Sequence, residues 1–140
     1  MQSPCGTTTR YYNGDDPEGL AEVGNVSDGT AKEMFNIPNG TIKAKDGYAF
    51  TAPSGRFRAN AFGLYDMHGN AAEWCADWYD RDYYSQSPPE DPKGPAAGSF
   101  RMIRGGGWGS NPVACRSADR FYGEPTYRDV SEGFRVVCER

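Results

Sequence analysis

The chain has 140 residues, enough for one domain with a modest core. Its 18 glycines and 10 prolines make a fifth of the sequence, which argues for a loop-rich fold, while 14% aromatic content supplies too much apolar area for a disordered chain. A net charge of −4 without any block of Lys or Arg leaves no basic patch for a nucleic acid, and no apolar run approaches the 18 residues of a membrane span.

The first residues, Met1-Gln-Ser-Pro-Cys5, lack the basic and apolar architecture of a signal peptide. The compartment therefore stays open between an intracellular chain and one whose true start lies upstream. Residues 5–16 read as a short extended piece ending in an Asn13-Gly14 turn. Pro17 to Val23 is expected to form one or two helical turns, with Asp16 as N-cap and Pro17 at the first helical position. Residues 24–45 read as polar and irregular, with a turn over Ile37-Pro-Asn-Gly-Thr-Ile42, and Asp46 to Pro53 as short and extended. Asn25-Val-Ser27 and Asn39-Gly-Thr41 match the glycosylation pattern, but without a secretory route both are chance matches.

The most informative stretch runs from Asn60 to Tyr79. Gly63 and Gly69 break its first half, with Asp66, His68 and Asn70 as turn residues around them. From Ala72 an alternation begins that places Ala72, Trp74, Ala76 and Trp78 on one face, the pattern of a strand with aromatics on its buried side. Asp66 and Glu73 flank a glycine-bearing turn. Carboxylates joined by inward carbonyls make a cage of hard oxygens, which suits calcium. His68 in a turn is expected to satisfy local hydrogen bonds rather than to catalyse. Residues 80–99 form a proline-rich surface loop, Phe100 to Arg104 a strand, residues 121–132 a further loop, and Gly133 to Glu139 the last strand. The run Gly105-Gly-Gly-Trp-Gly109 lacks the Gly-Lys-Ser/Thr of a phosphate loop, so its glycines serve close backbone packing. There are four cysteines, Cys5, Cys75, Cys115 and Cys138, with no C-x-x-C pair and a single histidine, so a zinc site is not expected. The glycine strand should bring Cys115 close to Cys75.

Taken together, the stretch Asn60-Ala-Phe-Gly-Leu-Tyr-Asp-Met-His-Gly-Asn70, then Glu73-Trp-Cys-Ala-Asp-Trp-Tyr79, Arg104-Gly-Gly-Gly-Trp108, Cys115-Arg-Ser-Ala-Asp-Arg120 and Gly133-Phe-Arg-Val-Val137 resemble the formylglycine-generating enzymes, or sulfatase-modifying factors. The resemblance spans residues 5–138 and implies an α+β fold: an irregular, loop-rich relative of the C-type lectin fold, with short antiparallel strands and little helix. The family's domain is roughly twice as long, so residues 1–140 are expected to be one domain truncated at its N-terminal side relative to the family.

The same resemblance implies two structural calcium sites. The first takes the side chains of Asn25 and Asp46 with the carbonyls of Val26 and Tyr48. The second takes the side chains of Asp66 and Glu73 with the carbonyls of Gly69 and Ala71. It also implies that Cys5 and Cys138, at neighbouring ends of the region, can be bridged. Family members oxidise a cysteine of a sulfatase to formylglycine with oxygen, copper and two active-site cysteines separated by four residues. Laid on this chain, the first cysteine falls on Ser110 and the second on Cys115, which is left vestigial. A family serine falls on Gly107 and a family asparagine on Ser131. Copper(I) wants soft thiolates, so copper is not expected. The reading that follows is a non-catalytic, calcium-stabilised binding or scaffold module for a protein or peptide partner or a second copy of the chain. The alternative is a formylglycine-generating oxidoreductase.

Overall fold

The computed structural model describes residues 8–36 and 41–138. Near the start, Tyr11 and Gly14 exchange both backbone hydrogen bonds around the Asn13-Gly14 turn, where Gly14 sits at φ +133°. Pro17–Glu22 is a 3₁₀ helix, and the Asp16 carboxylate accepts from the Glu18 N–H as the expected N-cap. Residues 24–45 differ from the expectation of a polar, irregular stretch. Helix α1 spans Gly29–Phe35, capped by Asp28, whose carboxylate accepts from the N–H groups of Thr30 and Ala31, and closed by Asn36 in the left-handed region. Its seven residues show no helical periodicity because most of its outer side is solvent. Asn25, Val26, Ser27 and Asp28, all of them buried, form part of the interior instead. The buried Asn25 is out of reach of a glycosylating enzyme in the folded chain. Ile37 to Gly40, and with them most of the expected turn and the second glycosylation pattern, lie outside the described residues. Residues 46–53 form bends without a regular strand.

Four strands make one small sheet in the order β3-β2-β1-β4. Strand β1 is Ala72–Trp78, β2 Arg101–Arg104, β3 Phe121–Gly123 and β4 Glu132–Gly133. β1 pairs antiparallel with β2, Trp74 opposite Ile103, and β2 pairs antiparallel with β3. β4 runs parallel to β1, Ala72 opposite Glu132 and Glu73 opposite Gly133, so the sheet is mixed rather than purely antiparallel. β3 falls inside a stretch expected to be a loop, because three residues are too few to show an alternation. The last strand is shorter than expected: beyond Gly133 the chain leaves the sheet, and Phe134, Val136 and Val137 are exposed. The β1 face is only half-buried, with Ala76 exposed. Its tryptophans are covered individually. The Arg101 guanidinium lies 3.7 Å over the Trp78 ring, and the Trp74 ring edge packs against Gly123.

The main apolar cluster lies beside the sheet. Tyr11, Leu20, Val23, Val26, Ile42 and Cys115 pack together, so the 3₁₀ helix and the Asn25 loop close over the segment that follows the glycine run. Each fully buried aliphatic side chain there contributes about 1.5–3 kcal/mol. Among the described residues no helix is long and apolar enough to cross a membrane.

Candidate functional site

Three loops meet where the first predicted ligand set lies. The Val26 N–H donates to Asp46 Oδ2 at 3.0 Å, and the Tyr48 N–H donates to Asp46 Oδ1 at 2.8 Å, so Asn25, Val26, Asp46 and Tyr48 come together. The Asn25 amide donates to the Phe50 carbonyl at 2.6 Å, while its Oδ1 is buried without a partner. Burial pushes the Asp46 carboxyl up to about 6, its two N–H contacts oppose this, and the neighbouring Asp28 raises it further. An orphaned amide oxygen beside a carboxylate that is costly to ionise fits a hard cation, which would satisfy the one and neutralise the other.

The second set sits next door. Asn70 N–H donates to the Asn25 carbonyl at 2.6 Å, and Gly69 N–H to the Gly105 carbonyl at 2.9 Å, which fixes the turn between Asp66 and Glu73 against the first site and the glycine run. Asp66 stands at φ +54°. Its Oδ2 accepts from Ser54 Oγ and from the Gly55 N–H, and its Oδ1 is buried without a partner. Asp66, Ala71 and Glu73 line one cavity of about 410 Å³, with Gly69 three residues on from Asp66 in the same turn. The orphaned Asp66 oxygen fits a cation here as well. The Glu73 carboxylate, however, is held by Arg135, a residue the ligand set does not include although it stands in the Gly133-Phe-Arg motif. Among the described residues no three His, Cys, Asp or Glu side chains converge as a metal cluster, so both sites would rest on amide and carbonyl oxygens beside their carboxylates.

The positions matching the family's cysteine pair do come together. A Cβ on Gly106 would lie 2.7 Å from Cys115 Sγ and 3.3 Å from Ser110 Cβ, so Gly106, at φ +72°, is what lets the two side chains flank one point. The Gly107 N–H donates to Ser110 Oγ at 3.0 Å. Gly107 itself lies under Ser131, whose carbonyl would be 2.8 Å from an added Cβ; the Ser131 hydroxyl turns away to Asp129. Cys115 is completely buried, and burial, with a smaller contribution from Asp119, pushes its thiol up to about 12. A hydroxyl and a sealed neutral thiol do not fit copper(I).

Cys75, half-buried on β1, is a separate free thiol pushed up to about 11 by burial and then by Asp77. Cys5 lies outside the described residues, and Cys138 is exposed. With thiol reagent at pH 8 on folded protein, Cys115 is expected to stay unmodified for as long as the chain is folded and to label at once in denaturant. Labelling of Cys115 at the rate of a free thiol in the native chain, mapped by peptide mass, would contradict the sealed environment.

His68 satisfies distant rather than local groups. Its Nδ1 lies 2.8 Å from the Cys115 carbonyl and its Nε2 accepts from the Tyr12 N–H at 3.1 Å, with Tyr12 stacked on the ring and Tyr11 edge-on. That pattern requires the neutral tautomer with the proton on Nδ1, in keeping with burial, which lowers its pKa.

Comparison with known proteins agrees with this architecture. Residues 4–140 match the sulfatase-modifying factor enzyme 1-like domain. The formylglycine-generating enzyme of Streptomyces coelicolor is 40% identical over 97 residues, 67% of this chain and 31% of that enzyme. A serine/threonine-protein kinase, pkn1, of Chlamydia caviae is 45% identical over 89 residues, 62% of this chain and 14% of the kinase. The solved structure of Treponema denticola variable protein 1 superposes with a TM-score of 0.75 at 27% identity, over 94% of this chain and 41% of that one. The chain thus spans less than half the length of each of these relatives. With the match to the domain extending over nearly its whole length, the chain belongs to the sulfatase-modifying factor family.

Proposed function

We propose that this chain is a non-catalytic, calcium-stabilised binding or scaffold module of the sulfatase-modifying factor family. The observation that carries the proposal is the pairing of Ser110 with a sealed Cys115 at the family's cysteine positions. Cysteine oxidation of the family kind needs a thiolate that can hold a soft metal and exchange with a substrate thiol. A serine hydroxyl does neither at neutral pH, and Cys115 is held neutral. The calcium part of the reading is supported by the unpartnered oxygens of Asn25 and Asp66 at the two expected ligand sets. A module role also agrees with the presence of a 45% identical segment inside a much longer protein named as a kinase. For a protein or peptide partner the chain offers a cavity of about 290 Å³ walled in part by Phe62, Leu64 and Met67.

The test is to incubate the protein with copper(I), oxygen and a sulfatase-type peptide carrying Cys-x-Pro-x-Arg, and to follow the mass change to the aldehyde. No conversion is expected, including in Ser110→Cys, because Cys115 stays buried. Turnover by the unmodified chain would establish the oxidoreductase instead.

A further inference from the structure

We propose that Arg135 is a built-in counter-cation of the Asp66–Glu73 site, and that its guanidinium and a divalent cation compete for the Glu73 carboxylate. The inference rests on the calcium reading of that site and adds to it a coupling between the cation and the C-terminal segment.

The geometry begins with register. Glu73 lies opposite Gly133 in the parallel β1–β4 pair, and two residues later Arg135 reaches back to it. Arg135 Nε donates to Glu73 Oε2 at 2.7 Å, and Nη2 donates to Oε1, a bidentate fork that takes both carboxylate oxygens. The same guanidinium donates to the Tyr65 carbonyl from both terminal nitrogens at 3.2 Å and to the Asp66 carbonyl at 3.3 Å. One positive group is therefore fixed on the loop and the acid that would hold the metal, while Asp66 Oδ1, a few atoms away, is buried without a partner. The site has a vacant anionic oxygen on one side and a neutralised carboxylate on the other. A divalent ion bound between Asp66 and Glu73 would stand beside a guanidinium of the same sign at contact range, well inside a Debye length, so the two repel although Arg135 is partly open to solvent. Binding is eased when Arg135 lets go.

Release has a structural consequence. β4 is paired to the sheet only over Glu132–Gly133, and the apolar side chains around Arg135 are 76% (Phe134), 86% (Val136) and 84% (Val137) exposed. The Arg135 fork thus ties residues 134–137 to the body of the domain. Since coupling between two equilibria is reciprocal, a cation that displaces Arg135 loosens residues 134–137, and a fixed segment there weakens the cation.

Calorimetric titration of chelator-treated protein with CaCl₂ tests this. Asp46→Asn isolates the second site, and Arg135→Met, which keeps the length of the side chain without its charge, is added to it. The expected result is calcium affinity at least about tenfold higher in the double variant. Equal or weaker binding in the double variant overturns the competition and makes Arg135 a positioning group for Glu73, with the calcium reading intact. No binding in either background removes the second calcium site and the competition with it. Hydrogen exchange on the unmodified chain gives an answer independent of how the variants fold. Amides of residues 134–137 are expected to exchange several-fold faster with calcium than with chelator, and unchanged or slower exchange overturns the proposal.

Discussion

Gly69→Ala is expected to leave the protein without a cooperative folded state. Gly69 stands at φ +76°, and a Cβ there would be 2.0 Å from the Asn25 carbonyl oxygen and 2.7 Å from its carbon. Both obstacles are backbone, and neither can rotate away. The same crossing carries the Asn70 N–H to Asn25 and the Gly69 N–H to Gly105, so moving either strand of the crossing breaks a hydrogen bond in the other. The left-handed conformation alone costs an alanine about 1 kcal/mol. The overlap raises the loss above about 4 kcal/mol, a large part of the 5–15 kcal/mol that holds a domain of this size together. Gly63→Ala is the control, because Gly63 has a similar φ of +74° but nothing within 4 Å of its Cβ position. Thermal unfolding followed by circular dichroism should show a transition lowered by a few degrees for Gly63→Ala and none for Gly69→Ala. A Gly69→Ala protein melting beside the control would mean that the two loops do not cross there.

The second large effect expected, on the proposed calcium reading, is a stability gain from calcium that switches on with rising pH. In the cation-free protein Asp46 is raised from its ordinary value of 3.8 to about 6. A raised folded-state value means that stability is fully present below the unfolded value and is lost as pH rises from about 4 through 6, where the carboxylate forms in its buried place. A bound cation reverses that loss, so the gain from calcium should be small at pH 4.5 and full at pH 7.5. At a free calcium concentration one hundred times Kd, a single site adds about 2.7 kcal/mol, roughly 10 °C in Tm for a chain of this length. His68 acts with the opposite sign. Its value is lowered, so its contribution falls away as pH drops below about 6.5, but it does so equally with and without calcium and cancels when the two curves are subtracted. Asp46→Asn should flatten the pH dependence of the difference. Asp66→Ala and Glu73→Ala should each remove the share of the gain that belongs to the second site, and an unchanged calcium-dependent Tm in both would sink that site.

The sequence was most legible where local chemistry decides conformation. Asp16 before Pro17 announced a capped helical turn, the alternation from Ala72 announced β1, and Gly105 to Gly107 announced close backbone packing because only glycine allows it. It was least legible where a polar residue is buried by something distant. Asn25 to Asp28 lie in a stretch that read as polar and irregular, yet they are interior, because the Asp46, Phe50 and Asn70 loops bring partners to Asn25, Val26 and Asp28, and Ser110 brings one to Ser27. No periodicity encodes partners so far along the chain. Gly133 to Glu139, rich in β-formers such as Phe134, Val136 and Val137, read as a full strand, but a strand also needs a neighbour, and among the described residues only Ala72 and Glu73 pair with β4. The two calcium-type ligand sets came from a family likeness rather than from spacing, and Arg135, standing in a quoted motif, had no charge partner in view until the parallel register placed Glu73 beside it.

The imidazole of His68 has a further consequence, for the time course of folding. It joins Tyr12, 56 residues before it, to Cys115, 47 residues after it, through its two nitrogens. Neither loop can be closed by a neighbour in sequence, and each closure is an entropic debt repaid only when the ring, both tyrosines and the cysteine carbonyl are all in position. A contact of that reach is expected to form late, so His68→Gln should speed unfolding more than it slows refolding, and a stopped-flow chevron whose refolding arm moves as far as its unfolding arm would contradict this. On that expectation the single histidine would act as a latch on the native state, set by the two distant segments it joins.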